Sequence, residues 1–183
     1  MPILPNQTYG KGTPENTDVM LLFKPEVYNW LHEKTRLLIT DYFTIKNSYQ
    51  HYGVSGLSDY SFLITPAFKA LEGTLIQIGN ELGFDLKNAE HRIGVVFNEE
   101  NLSKYYQDVL SKIESLDAEN KEDISMWLND ARRLLRHFRH SPAHYNGETK
   151  DSWVIAFSTG DHILRIIHEM CLTLYKSKLI KFR

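Results

Sequence analysis

The 183-residue sequence has a single cysteine, Cys171, and no uninterrupted apolar run near the roughly 20 residues that a membrane helix requires. One cysteine excludes an intramolecular disulfide. The N-terminus has no basic segment followed by an apolar core, which is the pattern of an export signal. We therefore expect a soluble protein of the reducing cytoplasm, without a membrane partner.

The chain also has little net charge. Its 21 Lys and Arg residues oppose 23 Asp and Glu residues, for a formal charge of -2 with the eight histidines neutral. Nonspecific coating of nucleic acid requires the neutralisation of many phosphates, so this composition argues against a protein of that class. Any contact with RNA must therefore be local.

Apolar residues recur at helical spacing through most of the chain, and no internal repeat is present. Residues 1–20 lack this periodicity and predict a flexible N-terminal arm, which leaves residues 21–183 as a single domain. Short β-like runs at 95–97 and 154–157 are too few to indicate a sheet. The fold class predicted is all-α, a bundle of about five main helices. Their expected ranges are about 25–49, 59–82, 99–113, 122–138 and 159–178.

The second predicted helix has the clearest apolar stripe. Its members follow one another at spacings of three or four residues, as one face of a helix requires. Ser58 is a candidate cap, and Pro66 predicts a kink or a restart of the helix. The stripe consists of Ile64, Phe68, Leu71, Leu75, Ile78 and Leu82.

The densest polar signal lies towards the end of the fourth predicted helix. With Ile124 as zero and 100° per residue, Arg139, Arg132 and Arg136 fall at about 60°, 80° and 120°, beside the apolar face. A solvated basic edge that complements the negative end of the helix dipole would give the same pattern. The cluster consists of Arg132, Arg133, Arg136, His137, Arg139, His140 and His144.

The spacing within this cluster favours a second interpretation. On an unbroken helix, Arg139 and His144 would point about 140° apart and could not share one small substrate group. Pro142 lies between them and has no N–H to give to a helix, so the backbone near Ser141 should bend and bring His144 towards Arg139. A guanidinium beside an imidazole suits phosphodiester transesterification, because Arg binds phosphate oxygens and His moves a proton near neutral pH.

The segment from Arg139 to His144 resembles the signature of HEPN ribonucleases, in which Arg, a polar residue, three spacers and His lie near a helix break. This resemblance implies a HEPN-like helical bundle with endoribonuclease activity that needs neither metal nor cofactor. It also implies a homodimer whose two motifs face one another across a shared cleft. Cleavage by the ribose 2'-hydroxyl would leave a 2',3'-cyclic phosphate.

A second segment narrows the resemblance. Asp59-Tyr60-Ser61-Phe62, followed by residues 66–73, is similar to a helix of toxins of the RNase LS type, which act in bacterial toxin–antitoxin defence against phage. In that group a basic residue and a glutamate three apart join the Arg and His, and the matching positions are Lys69 and Glu72. The likeness spans about residues 25–178, corresponds to the catalytic portion of those toxins, and implies an antitoxin partner.

These observations assign a role to each candidate residue. His144 is expected to act as general base or acid, and Arg139 to stabilise charge on the phosphorane. Glu72 would orient Arg139 or a histidine, and His140 is a candidate second proton carrier, although the family more often has another polar residue there. The residues expected to bind substrate phosphates are Lys69, Arg136 and Arg132.

Other interpretations compete with this one. His137, His140 and His144 have a spacing that would cluster them as metal ligands on an unbroken helix, although Pro142 argues against that helix. A HEPN-like domain that only binds RNA, a nucleotide or a protein is the principal alternative. A Cys–His hydrolase has little support because Cys171 falls in an apolar helix. On the last helix, His162, Arg165 and His168 could edge the cleft or form ordinary surface.

Overall fold

The computed structural model describes residues 17–52, 60–84, 99–115, 120–140 and 152–182 of the chain. Within these ranges the chain forms α-helices and one 3-10 turn, Ser61–Leu63, and no strand, so the predicted all-α class is confirmed. The five long helices of the prediction are present, together with two short ones. In chain order the helices are α1 (Thr17–Leu22), α2 (Pro25–Trp30), α3 (Glu33–Tyr52), α4 (Thr65–Glu81), α5 (Glu99–Ser115), α6 (Lys121–His140) and α7 (Ser152–Lys176).

Helix α4 lies at the centre of the bundle, packed between α3 and α7. Every residue from 71 to 79 is buried, and the predicted stripe lies in the core, with Phe68 partly exposed at its edge. Removing a Leu or Ile side chain from water stabilises the fold by about 1.5–3 kcal/mol each. Burial of this stripe is therefore a large part of what holds the bundle together.

The prediction of one continuous helix over about residues 25–49 is wrong, because α2 and α3 are separate helices. Leu31 between them is extended, with φ -61° and ψ 142°, and its side chain is buried. The Gln77 side chain of α4 spans the break. Its Oε1 accepts the His32 backbone N–H at 2.9 Å, and its Nε2 donates to the Trp30 carbonyl at 2.7 Å. A buried amide thus replaces hydrogen bonds that a continuous helix would make.

Two further helix boundaries differ from the prediction. Helix α4 begins at Thr65 rather than near Asp59, since Pro66 occupies its first turn and the 3-10 turn precedes it, so the restart at Pro66 is confirmed. Helix α7 begins at Ser152 rather than near Thr159, so the β-like run at 154–157 is helical. Burial of Ala156 and Phe157 in the core outweighs the weak strand propensity of that run.

The flexible arm over residues 1–20 and the single domain over residues 21–183 stay predictions. Helix α1 begins at Thr17, inside the last four residues of the predicted arm, and its Val19 side chain is buried. Residues 1–16 and the candidate cap Ser58 lie outside the described ranges.

Ring and side-chain contacts fix the relative directions of the helices. The Tyr49 ring, near the end of α3, lies 6.2 Å from the Tyr60 ring, just before α4, and 5.7 Å from the Phe157 ring, near the start of α7. At the opposite end, Asn120 Nδ2, before α6, lies 3.4 Å from Ser177 Oγ, after α7. The first halves of α4 and α7 and the last half of α6 therefore share one end of the bundle, which we name the Tyr49 end.

Helices α3 and α7 cross closely at Tyr42. Its hydroxyl lies 2.8 Å from the Phe157 carbonyl oxygen and 2.9 Å from Asp161 Oδ1. Burial, with the nearby Asp161 carboxylate, raises the pKa of Tyr42 well above its usual value, so the hydroxyl stays protonated as a donor. Gly160 of α7 lies directly under the Tyr42 ring, and a Cβ at that position would overlap three of its atoms.

Replacing Gly160 by Ala should therefore destabilise the protein. The added methyl must push the α3 and α7 backbones apart or force Tyr42 from its place, at a cost of about 1–3 kcal/mol in the free energy of unfolding. Urea unfolding measures this cost. Ser158→Ala, an exposed change on the same helix, is the control and should stay within about 0.5 kcal/mol of the native protein. Equal stability of the two variants would contradict the close crossing.

His168 of α7 is a buried histidine with 7% of its surface exposed. Its ring meets Phe23 edge-on at 5.6 Å, and its Nδ1 has no hydrogen-bond partner among the residues that the structure describes. Burial lowers the pKa of His168, an effect that the nearby Glu169 and Glu26 oppose and Lys24 reinforces. The folded protein therefore keeps this imidazole neutral at pH values where the unfolded chain protonates it.

Acidification should accordingly weaken the fold through His168. Below its ordinary pKa near 6.5, the unfolded chain binds a proton that the folded chain excludes, so the free energy of unfolding falls as the pH falls. Urea midpoints between about pH 8 and about pH 5.5 measure the effect. His168→Leu should flatten this dependence, whereas His162→Gln, at an exposed position, should keep it. A His168→Leu profile parallel to the native one would refute the assignment.

Candidate functional site

The basic edge predicted on α6 is present, and its first arginine is held by a neighbouring helix. The half-buried Arg132 donates from its guanidinium to Ser103 Oγ of α5 at 3.1 Å. Its Cζ also lies 5.1 Å from the centre of the Tyr106 ring, in a cation–π contact. Arg132 therefore fastens α5 to α6, and its role in substrate binding stays a prediction.

The next arginines of α6 face solvent. Arg133 lies 3.4 Å from Asp130, one turn earlier, with 63% of its side chain exposed, and a pair of this kind adds little to stability. Arg136 is also exposed. It lies one turn before Arg139, so a basic surface leads along α6 towards the predicted catalytic segment.

The catalytic segment itself is described in part. Arg139 and His140 belong to the last turn of α6, so the predicted helix does extend as far as the motif. Their side chains, together with Pro142 and His144, lie outside the described part of the chain. The bend at Pro142 and the approach of His144 to Arg139 therefore stay predictions.

Glu72 occupies the buried interior of α4. Only 5% of its surface is exposed, and both chain neighbours, Leu71 and Gly73, are buried with it. Burial of a carboxylate costs free energy of folding unless a polar partner compensates it. Glu72 has an interacting partner in the structure. Glu72 is therefore not half of an exposed ion pair with Lys69 on the surface of α4.

Lys69, three residues before Glu72, is exposed. The two residues that the resemblance assigns to the site thus differ in position, one inside the bundle and one at its surface. Lys69 lies in the second turn of α4, towards the Tyr49 end where α6 also ends, whereas Glu72 lies at the middle of α4.

The three residues of α7 that could edge the cleft, His162, Arg165 and His168, do not lie together. His168 is buried in the core, so it edges no cleft. His162 and Arg165 line a cavity of about 550 Å³ between α3 and α7, and the Lys46–Asp161 ion pair, at 2.6 Å, forms part of its wall. Sequence reasoning missed this polar cluster because its members come from two helices more than a hundred residues apart.

Two of the competing interpretations can be compared with the structure. Cys171 is fully buried and burial raises the pKa of its thiol, so it is a core residue as predicted and a poor nucleophile. No group of three or more His, Cys, Asp or Glu side chains that could hold a metal occurs among the described residues. The side chains of His137 and His140, and all of His144, lie outside the described part of the chain. Of the helices described, none has the length and apolarity to cross a membrane.

A comparison with known protein families shows which family the chain belongs to. Residues 19–146 match the family described as "RNase LS, bacterial toxin DBD domain". The chain belongs to this family. The match confirms the predicted relation to RNase LS toxins, and its range includes Lys69, Glu72 and the whole Arg139–His144 segment. The match is to the DBD domain of the toxin, so a HEPN catalytic domain stays a prediction.

The matched range ends before α7, whose packing against α4 and α6 completes the bundle. Searches of curated proteins and of solved structures find no significant match to the chain. The relationship to RNase LS toxins therefore rests on the family match.

Proposed function

We propose that this member of the RNase LS toxin family is a metal-independent endoribonuclease of the HEPN type, acting in a toxin–antitoxin or antiphage system of the bacterial cytoplasm. The observation that carries the proposal is the match to the DBD domain of the RNase LS toxin, over a range that contains every predicted catalytic residue. Burial of Glu72 inside the bundle supports a positioning role for its carboxylate.

The chemistry follows from the residue types. His144 takes the proton of the ribose 2'-hydroxyl or gives one to the leaving 5'-oxygen, and His140 is the candidate for the complementary transfer. Arg139 binds the nonbridging oxygens and stabilises the negative charge that grows on the phosphorane. The 2'-oxygen forms a bond to phosphorus as the bond to the 5'-oxygen breaks, which yields a cyclic phosphate.

Glu72 acts as a positioning residue in this scheme. Its buried carboxylate can fix the orientation of Arg139 or a histidine, because an ionised group inside the bundle attracts a cationic or N–H partner strongly. Lys69, Arg136 and Arg132 are proposed to hold neighbouring phosphates, and the exposure of Lys69 and Arg136 leaves their side chains accessible to RNA.

A homodimer would complete the site. Two copies facing one another would concentrate arginines from a chain whose net charge is -2, and so provide the local positive potential that RNA binding requires. An antitoxin protein is the expected neutralising partner.

Replacing His144 by Ala should abolish most of the RNA cleavage. Loss of a general acid or base costs about 100- to 10,000-fold in rate, and the native enzyme should cleave single-stranded RNA at full rate in excess chelator. Cleavage rates in EDTA measure both expectations. His137→Ala is the matched control, because His137 belongs to the competing metal trio but not to the HEPN motif. Chelator-sensitive cleavage, with both variants equally impaired, would instead support a metal site.

Replacing Glu72 by Gln keeps the shape of the side chain but removes its charge, so the group that it orients should lose its alignment. We expect kcat to fall about 10- to 100-fold with little change in KM. If a histidine is the partner, the acidic limb of the pH profile of kcat should also move to lower pH, because a nearby carboxylate raises the pKa of an imidazole.

Glu72→Asp serves as the conservative control and should recover part of the activity. Thermal unfolding of each variant shows whether the fold is kept at the assay temperature. A folded Glu72→Gln protein with native kcat would remove Glu72 from the site.

A further inference from the structure

The cavity lined by His162 and Arg165 lies at the Tyr49 end of the bundle, on α3 and α7. We propose that this cavity binds a phosphate of the single-stranded RNA backbone, in support of cleavage at the Arg139–His144 segment; the inference rests on the proposed ribonuclease function. Its volume of about 550 Å³ falls in the range that accommodates a small ligand such as a nucleotide. The polar residues that line it are Lys46, Gln50, Ser158, Asp161, His162 and Arg165.

Asp161, the one carboxylate among the described residues that line this cavity, is already compensated. Its Oδ1 lies 2.9 Å from the Tyr42 hydroxyl, which the buried environment keeps protonated. The Lys46 ammonium donates to both of its oxygens, at 2.8 Å and 2.6 Å. These contacts satisfy Asp161 and fix Lys46, so the acid does not cancel the charge of the remaining cation.

That remaining cation is Arg165. Its side chain and that of His162 are exposed and make no hydrogen bond or ion pair within the described part of the chain. They lie three residues apart on α7 and therefore on one face of the helix. The planar guanidinium presents several N–H donors in the geometry that suits phosphate oxygens, and Gln50 and Ser158 add neutral donors around it.

An adjoining cavity of about 420 Å³ is less suited to an RNA phosphate than the 550 Å³ cavity. It shares Lys46, Asp161 and Arg165 but adds a second carboxylate, Asp18. Two acids then oppose two bases, and the positive balance is lost. Among the described residues of the larger cavity, Lys46 and Arg165 oppose Asp161 alone, which leaves one net positive charge before any contribution from His162.

The walls of the cavity favour a nucleic acid over a free phosphate ion. The apolar side chain of Val154 is 44% exposed beside the polar cluster and offers a contact for a ribose or a base edge. The cavity also lies at the start of α7, the helix that follows the Arg139–His144 segment in the chain. An RNA strand that extends from the cleavage site along this end of the bundle would reach it.

The test is RNA binding by the full chain and its Arg165→Gln variant. The probe is a labelled 2'-O-methyl single-stranded oligonucleotide, which cannot cyclise, so binding is measured apart from cleavage. Loss of one phosphate contact should weaken binding about fivefold at about 0.1 M salt and reduce the slope of log K against log salt by about 0.7. Lys34→Gln, an exposed change at the other end of α3 with the same loss of charge, should alter neither value.

Three results would overturn the inference. The first is an equal salt slope for Arg165→Gln and Lys34→Gln, and the second is no binding of the probe by the native chain. The third is normal RNA binding by Arg165→Gln together with loss of binding to an acidic protein, which would show that Arg165 belongs to a protein interface. Thermal unfolding confirms that each variant is folded. Salt-dependent binding through Arg165 without any RNA cleavage would contradict the proposed ribonuclease and leave the phosphate site standing.

Discussion

Burial of α4 is the constraint on which the rest of the structure depends. A helix buried over residues 71–79 must have its polar side chains satisfied inside the bundle, and α4 carries three of them there: Glu72, Thr74 and Gln77. Thr74 bonds to the Ala70 carbonyl of its own helix. The Gln77 side chain bonds to the Trp30 carbonyl and the His32 N–H, at the break between α2 and α3. The geometry of the surrounding helices thus follows from the polar residues of α4 as well as from its apolar stripe.

Among the buried polar residues of α4, Glu72 is the one to which the proposed function assigns a role. Neutral side chains such as Gln77 can be satisfied by backbone groups, but a buried carboxylate is best compensated by a cation or several donors. In the proposed mechanism this buried acid orients Arg139 or a histidine, which would connect the core of the protein to its chemistry.

The sequence predicted the helices and the buried stripe because helical periodicity is a property of neighbouring residues. It also predicted that Pro66 would restart α4, since proline acts on its own backbone. The break at Leu31 was missed because it depends on Gln77, which is 46 residues away in the chain and contributes no local signal. For the same reason, the Lys46–Asp161 pair and the cavity around Arg165 emerged only when α3 and α7 were brought together. The relation to RNase LS toxins was predictable because it rests on contiguous segments of the chain.

The central claim is that this RNase LS family member cleaves RNA through its own side chains, with the 2'-hydroxyl of the substrate as nucleophile. The chemistry of the cleaved ends tests it most directly. Phosphorus NMR of products from a short single-stranded RNA, cleaved by the native chain, should show a 2',3'-cyclic phosphate and leave a 5'-hydroxyl on the other fragment. Products with a 5'-phosphate and a 3'-hydroxyl would show that water attacked the phosphorus instead, and would contradict the account.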